Sequence, residues 1–193
     1  MKSALKLFSF FFLLACLQPA TAQEAAETIA PPAGPVVGHR HLVLNGEATR
    51  SVWGFDVYKV RLYVHEIMRD AEKILGSTKE PKRIEIVLQR DVSEEQFSST
   101  VQQNIDNNFS DEEKVSYAGE LKSFIGCFDN GNGLHEGSVI TIDHIPSEGM
   151  VVELDGKTLD TIPGEDFYHA ILRLWIGKPL QKSIREGLVG TAD

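Results

Sequence analysis

Residues 44–65, LNGEATRSVWGFDVYKVRLYVH, carry the reading that decides the fold. Asn45-Gly46 is a turn signal, Trp53-Gly54 is a second, and a strand follows. Stepped in twos, Tyr58, Val60, Leu62 and Val64 share one face, while Phe55, Val57, Lys59, Arg61 and Tyr63 share the other. The first face is apolar and belongs against a core. It is headed by a tyrosine, and Arg50 stands one hairpin arm away. That pair is the chemical oddity of the stretch.

Around it the chain reads as strands, then helices, then strands, then helix. Leu42–Leu44, Glu47–Val52 and Phe55–Val64 form a meander broken at Asn45-Gly46 and near Gly54. A short helix fits Met68–Leu75. Arg83–Arg90 alternates Ile84, Ile86, Leu88 against Glu85, Val87, Gln89, which is another strand. Ser93-Glu94-Glu95-Gln96 and Ser110-Asp111-Glu112-Glu113 are capping boxes that open two helices. Phe97, Val101, Ile105 and Phe109 stripe the first helix, and Tyr117, Leu121, Phe124 and Phe128 the second. Strands return at Ser138–Ile145 and Met150–Leu154, and Asp155-Gly156 turns the chain back through Thr158–Ile162. A long helix opens near Glu165 and stops at Gly177-Lys178-Pro179, and a short one covers Leu180–Leu188. This order implies an α+β fold, a largely antiparallel sheet with a helical layer on one face.

Composition places limits on function. The chain has 193 residues, 42% of them hydrophobic and 24% charged, enough for one domain with a real core. A formal charge of −9 argues against nucleic acid and anionic membrane as partners. Residues 1–22 read as a secretory signal, with Lys2 and Lys6 ahead of the apolar run Leu7–Leu17 and Ala20-Thr21-Ala22 at the cleavage site. The run is too short to be a membrane span. Cleavage before Gln23 sends the protein to the periplasm or beyond. A looser match, Leu13-Leu14-Ala15-Cys16, offers a lipoprotein anchor at Cys16 instead. Losing Lys2 and Lys6 lowers the charge by two, to −11, and leaves Cys127 without a partner for an internal disulfide. Cys127 sits in FIGCF and reads as a small buried hydrophobe. Residues 23–37 are rich in Ala and Pro without a period, a disordered linker, so the domain is expected at 38–193.

Motifs that carry chemistry are sparse. No phosphate-binding glycine loop, paired Cys-x-x-Cys or Gly-x-Ser-x-Gly elbow occurs. His39 and His41 alternate near a strand start, but no third ligand accompanies them, so no metal is expected and no cofactor either. The loop Asp129–Gly133 has glycine where a calcium loop needs oxygen ligands and reads as a turn. Asn108-Phe109-Ser110 is a formal glycosylation sequon.

LNGEATR with the following strand, RIEIVLQRDVS leading into a helix, and VELDGKTLDTIPGEDFYHAILRLWIG together resemble the chalcone isomerase-like family, in its secreted bacterial branch. The resemblance covers roughly residues 38–190 and is most specific over Leu154–Gly177. It implies an open-faced β-sandwich with a ligand cleft between sheet and helices. In plant chalcone isomerases a phenolate attacks an enone there, and an arginine stabilises the developing enolate. Related non-catalytic members bind fatty acids, with arginine and tyrosine on the carboxylate. Carried onto this sequence, Arg50 matches the arginine and Asn104 the asparagine. Tyr58 replaces a threonine and Phe97 a tyrosine of the true isomerases, so the helix hydroxyl is lost.

Three functions follow in order. The first is non-catalytic binding of a small lipophilic carboxylate or phenolic ligand, such as a fatty acid, by Arg50, Tyr58, Phe97 and Asn104. The second is an isomerase of the intramolecular lyase type, with Arg50 and Asn104 catalytic. The third is a structural or partner-binding domain with a filled cleft. On residue chemistry alone, Arg50 could equally pair with a protein carboxylate or reach solvent. Tyr58 could be an ordinary core tyrosine.

Overall fold

A computed structural model of the chain describes residues 34–129 and 133–190. The signal segment, the lipobox at Cys16, most of the linker and the centre of the Asp129–Gly133 loop lie outside the described residues. Six strands form one sheet in sequence order: β3 (Val43–Val52), β4 (Phe55–Val64), β5 (Lys82–Leu88), β6 (Val139–Ile145), β7 (Gly149–Leu154) and β8 (Lys157–Ile162). Every neighbouring pair is antiparallel. Ahead of them β1 (Val36–Val37) pairs with β2 (Arg40–His41), so the last two residues of the stretch that composition assigns to the linker form a strand. The helices are α1 (Ala71–Gly76), α2 (Glu94–Asn108), α3 (Asp111–Ser116), α4 (Ala118–Gly126), α5 (Glu165–Ile176) and α6 (Lys182–Val189).

Register explains the two faces. Val60, Ile86, Ile140 and Leu154 stand side by side across four strands, and Leu62, Ile84, Ile142 and Val152 form the next row. These rows meet α2, α4, α5 and α6 in one buried core. The other face is polar. Arg61 on β4 bridges Glu47 on β3 and Glu85 on β5, and Arg83 forks onto Asp143 through two 2.6 Å bonds. Alternation in the sequence is therefore cashed out as core on one side and cross-strand ion pairs on the other. The result is the α+β architecture expected from the sequence, a six-stranded antiparallel sheet with helices packed on one face.

Both capping boxes form: Ser93 with Gln96 and Ser110 with Glu113 exchange side-chain and backbone bonds. The second helix is broken at Tyr117, which ends α3 and starts α4. Trp53-Gly54 and Asp155-Gly156 turn their hairpins with both central residues at positive φ, as two-residue turns of the primed type require. Asn45-Gly46 differs from expectation. It is not a turn but a bulge inside β3, where the register slips between Leu44 and Gly46. The buried Asn45 side chain donates to the carbonyl of Leu188 and accepts from the amide of Met68, so it ties β3 to α6. A Cβ on Gly46 would collide with the backbone of Gly187 and Leu188, so α6 lies on β3 glycine to glycine. This contact holds the last turn of α6 on β3, and at the other end of the helix Gln181 lies beside Arg50.

Candidate functional site

The site lies at the end of the sheet where β3, β4 and the segment after β5 meet the first turns of α2. Arg50 on β3 is the direct cross-strand partner of Tyr58 on β4, and the register slips again between Arg50 and Ser51. That bulge turns Val57 as well as Tyr58 toward the helices, and both line the cavity. The cavity between sheet and helices holds about 70 Å³ and is walled by apolar groups such as Ile86, Leu88, Ile140, Phe124 and Leu174. Its outer neighbour, a mouth of about 230 Å³, shares Val57, Tyr58, Val92 and Thr100 with it. Arg50, Arg90, Gln96 and Ser99 complete the mouth.

The four residues expected from sequence all converge here. Arg50 donates from Nη1 to the side-chain oxygen of Gln181 at 3.1 Å and to its neighbour's carbonyl, Ser51, at 3.4 Å. Among the described residues it pairs with no carboxylate. Gln181 also accepts from the Ser51 amide and donates to the Thr49 carbonyl and to Ser183, so it is a clamp that holds the guanidinium in place. Burial raises the pKa of Tyr58, and the nearby Arg50 and the Trp175 indole oppose that rise. The phenol therefore stays protonated at neutral pH and acts as a hydrogen-bond donor. Phe97 packs on Phe128 with ring centroids 4.4 Å apart and closes the cavity from the helix side. Asn104 lines the cavity, but its amide is committed to the protein. It donates to the Thr100 carbonyl at 3.1 Å and accepts from the Leu180 amide at 3.3 Å, which ties α2 to the entry of α6.

Two members of the site are additional. Trp175 is buried and lines the cavity beside Tyr58. Arg90 is the second. It continues the step of two from Ile84 through Ile86 and Leu88, so the pattern that marks the core face of β5 also marks Arg90. Its Nε is buried without a hydrogen-bond partner.

Residues set aside also find their places. Burial pushes the Cys127 thiol up to about 11, which leaves it protonated and unreactive at neutral pH. Arg173 is not on a solvated face as its helix position suggests. It reaches Glu113 on α3 at 2.9 Å, with its guanidinium 4.8 Å from the centre of the Phe109 ring. Among the described residues no cluster of three His, Cys, Asp or Glu could hold a metal, and no helix is long and apolar enough to cross a membrane.

The sequence profile of chalcone isomerase-like proteins matches residues 22–190. The chain belongs to the chalcone isomerase-like family. Among solved structures it is similar to a fatty-acid binding protein of Arabidopsis thaliana. That match has a TM-score of 0.56 and 18% identity, and covers 77% of this chain and 87% of the plant chain. At that identity the likeness establishes the fold. No functionally curated protein matches the sequence.

Proposed function

We propose that this protein holds a small anionic lipophile, a fatty acid being the simplest case, and that it does so without chemistry, in the periplasm or outside the cell after loss of residues 1–22. Arg50 and the Tyr58 hydroxyl take the head group, and the apolar cavity takes the start of the tail. The observation that carries this reading is Arg50 itself. Its guanidinium stands at the mouth of an apolar cavity, steadied by a neutral amide and matched by no carboxylate among the described residues. An arginine at such a site presents a planar fork that a carboxylate fits in bidentate fashion. Arg61, Arg83 and Arg173 are paired with the protein's own acids, whereas Arg69 and Arg185, away from the cavity mouth, donate to the backbone carbonyls of Asn45 and Gly177.

Two observations favour binding over cyclisation. Phe97 puts an apolar ring where the isomerases resembled have a phenol, and that ring is packed against Phe128. The amide of Asn104 is spent on Thr100 and Leu180. The kinship of fold with a protein described as a fatty-acid binder supports the same choice. A filled, purely structural cleft would be expected to give Arg50 a partner acid.

The cavity also limits the ligand. About 70 Å³ behind the mouth is well below the roughly 300–1,000 Å³ of ordinary ligand sites. A long tail therefore enters only as Phe97 and Phe128 give way. Calorimetric titration with a series of straight-chain acids tests the reading. Saturable binding that strengthens with the first methylenes and falls about tenfold or more in Arg50→Ala is expected. Absence of binding along the whole series, in protein that is folded, would overturn it.

A further inference from the structure

Two guanidiniums line one mouth. Arg50 enters from β3 and Arg90 from the segment between β5 and α2, and both border the same space of about 230 Å³. Neither is paired with a carboxylate among the described residues. Arg50 has two neutral acceptors, the Gln181 side chain and the Ser51 carbonyl. Arg90 forms no hydrogen bond with a described residue, and its Nε is shielded from solvent. The rest of the mouth is neutral: Gln96, Ser99 and Thr100 from α2 face the arginines, together with Tyr58. The charged side chains that line the mouth are thus both cations, on a chain whose formal charge is −9. A monocarboxylate can neutralise one of the two cations. It would leave the second partly buried and unmatched, which costs free energy at a desolvated site.

We infer that the head group held here is a dianion, a phosphate monoester on an alkyl chain, with Arg50 and Arg90 gripping it from two sides and the chain running into the apolar cavity. The inference rests on the reading of the cleft as a lipophile site and narrows it. A phosphate monoester carries close to two negative charges at neutral pH and offers three terminal oxygens, against two on a carboxylate. Two forks and a phenol can all be used on such a group. The same anion could also come as free phosphate, so the alkyl chain must be shown to matter.

Dodecyl phosphate and dodecanoate share one tail and differ in head group, so they separate the two cases. Titrated into the protein at pH 8, dodecyl phosphate should bind about tenfold tighter than dodecanoate or better. Arg90→Gln should remove that preference, lowering affinity for the phosphate about tenfold while dodecanoate changes by no more than roughly threefold. Arg90→Lys should restore part of it, and Arg50→Gln should weaken both ligands. At pH 5, below the second phosphate ionisation near about 6, the preference should shrink as the head group becomes a monoanion. Equal affinities at pH 8, or an equal loss for both ligands in Arg90→Gln with the melting temperature unchanged, would overturn the inference and leave monoanion binding standing. Inorganic phosphate should bind at least roughly a hundredfold more weakly than dodecyl phosphate, since it buries no chain. Comparable affinity would make the site one for free phosphate and overturn the lipid assignment. Failure of both dodecyl ligands to bind would remove the underlying lipophile reading as well.

Discussion

Strand β5 carries a cation at each end of its core-facing row. Lys82 opens the row and Arg90 follows its close, with Ile84, Ile86 and Leu88 between them. The protein treats the two charges in opposite ways. Lys82 is fully buried, and its three protons all have partners: the carbonyls of Ser77 and Glu80, and Nε2 of His169 at 3.3 Å. His169 donates from Nδ1 to the Glu165 carbonyl at 2.8 Å, which fixes the tautomer and leaves Nε2 free to accept. His144 donates from Nε2 to the Thr78 carbonyl, and its ring stacks on Tyr168. The ammonium of Lys82 is thus closed off from inside the chain, although His144 Nδ1, the Tyr168 hydroxyl and one Glu80 carboxylate oxygen around it are buried without a hydrogen-bond partner among the described residues. At the arginine end the cations have, among the described residues, neutral partners or none. A buried charge with a complete set of acceptors supports the fold, whereas one without them waits for a partner from outside.

The largest effect should come from breaking the closed end. Lys82→Met orphans two part-buried carbonyls and the His169 nitrogen, and should cost on the order of 2–4 kcal/mol in urea unfolding. A cost under about 1 kcal/mol would mean that the lysine is no lock. The closed end also sets an acid limit. Burial, with the Lys82 charge, lowers His169 to about 4, and burial lowers His144 as well. The opposing acids near His169, Glu165 through its carbonyl and Asp166 through its charge, only soften that shift. A histidine whose folded pKa lies below the unfolded value of about 6.5 binds more protons when unfolded. Stability should therefore be full above about 6.5 and fall as pH drops toward 4, by roughly 2–3 kcal/mol for His169. His169→Gln should flatten the profile in that window. Lys82, lowered to about 8 by burial, adds a rise in stability between about 8 and the ordinary lysine value near 10.5.

Effects on stability should be smaller at the open end and larger on binding. Arg50→Ala should change unfolding free energy by less than about 1 kcal/mol, because it breaks bonds to neutral acceptors, yet lower affinity for dodecanoate about tenfold or more. If unfolding cost exceeded the binding cost, Arg50 would belong with Lys82 as a fold element. The smallest effect belongs to the polar face. Arg61→Ala should cost about 0.5–1 kcal/mol and lose most of that cost at high salt, since its pairs with Glu47 and Glu85 stand partly in solvent.

Much of this was legible in the sequence. The capping boxes, the glycine turns at Gly54 and Gly156, and the step of two along β4 fixed the elements and their order. Asn45-Gly46 misled because neither residue takes positive φ here: the asparagine is buried to bond Leu188 and Met68, and the glycine admits the backbone of α6, a packing contact that the local sequence does not show. The place of Arg173 midway along α5 does not reveal its partner, a glutamate sixty residues earlier in sequence on another helix. At the candidate site, the sequence named Arg50, Tyr58, Phe97 and Asn104, which line the cavity or its mouth, but it did not reveal the commitment of Asn104 to Leu180, a contact 76 residues away. Lys82 and Arg90 were legible in principle. Both lie on the apolar step of β5, and a cation in phase with a core row signals either an internal lock or a ligand. Telling the two apart requires the partners, which come from the loop after α1 and from α5 at one end and are lacking at the other.

The most direct test of the central claim, that the open end awaits an anionic lipophile, is native mass spectrometry of the protein purified from cells, beside Arg50→Ala prepared identically. The account predicts an acidic lipid bound to the wild-type protein and lost or strongly depleted in the variant. A wild-type protein that is empty and takes up neither dodecanoate nor dodecyl phosphate would contradict it, as would a bound lipid retained equally by Arg50→Ala.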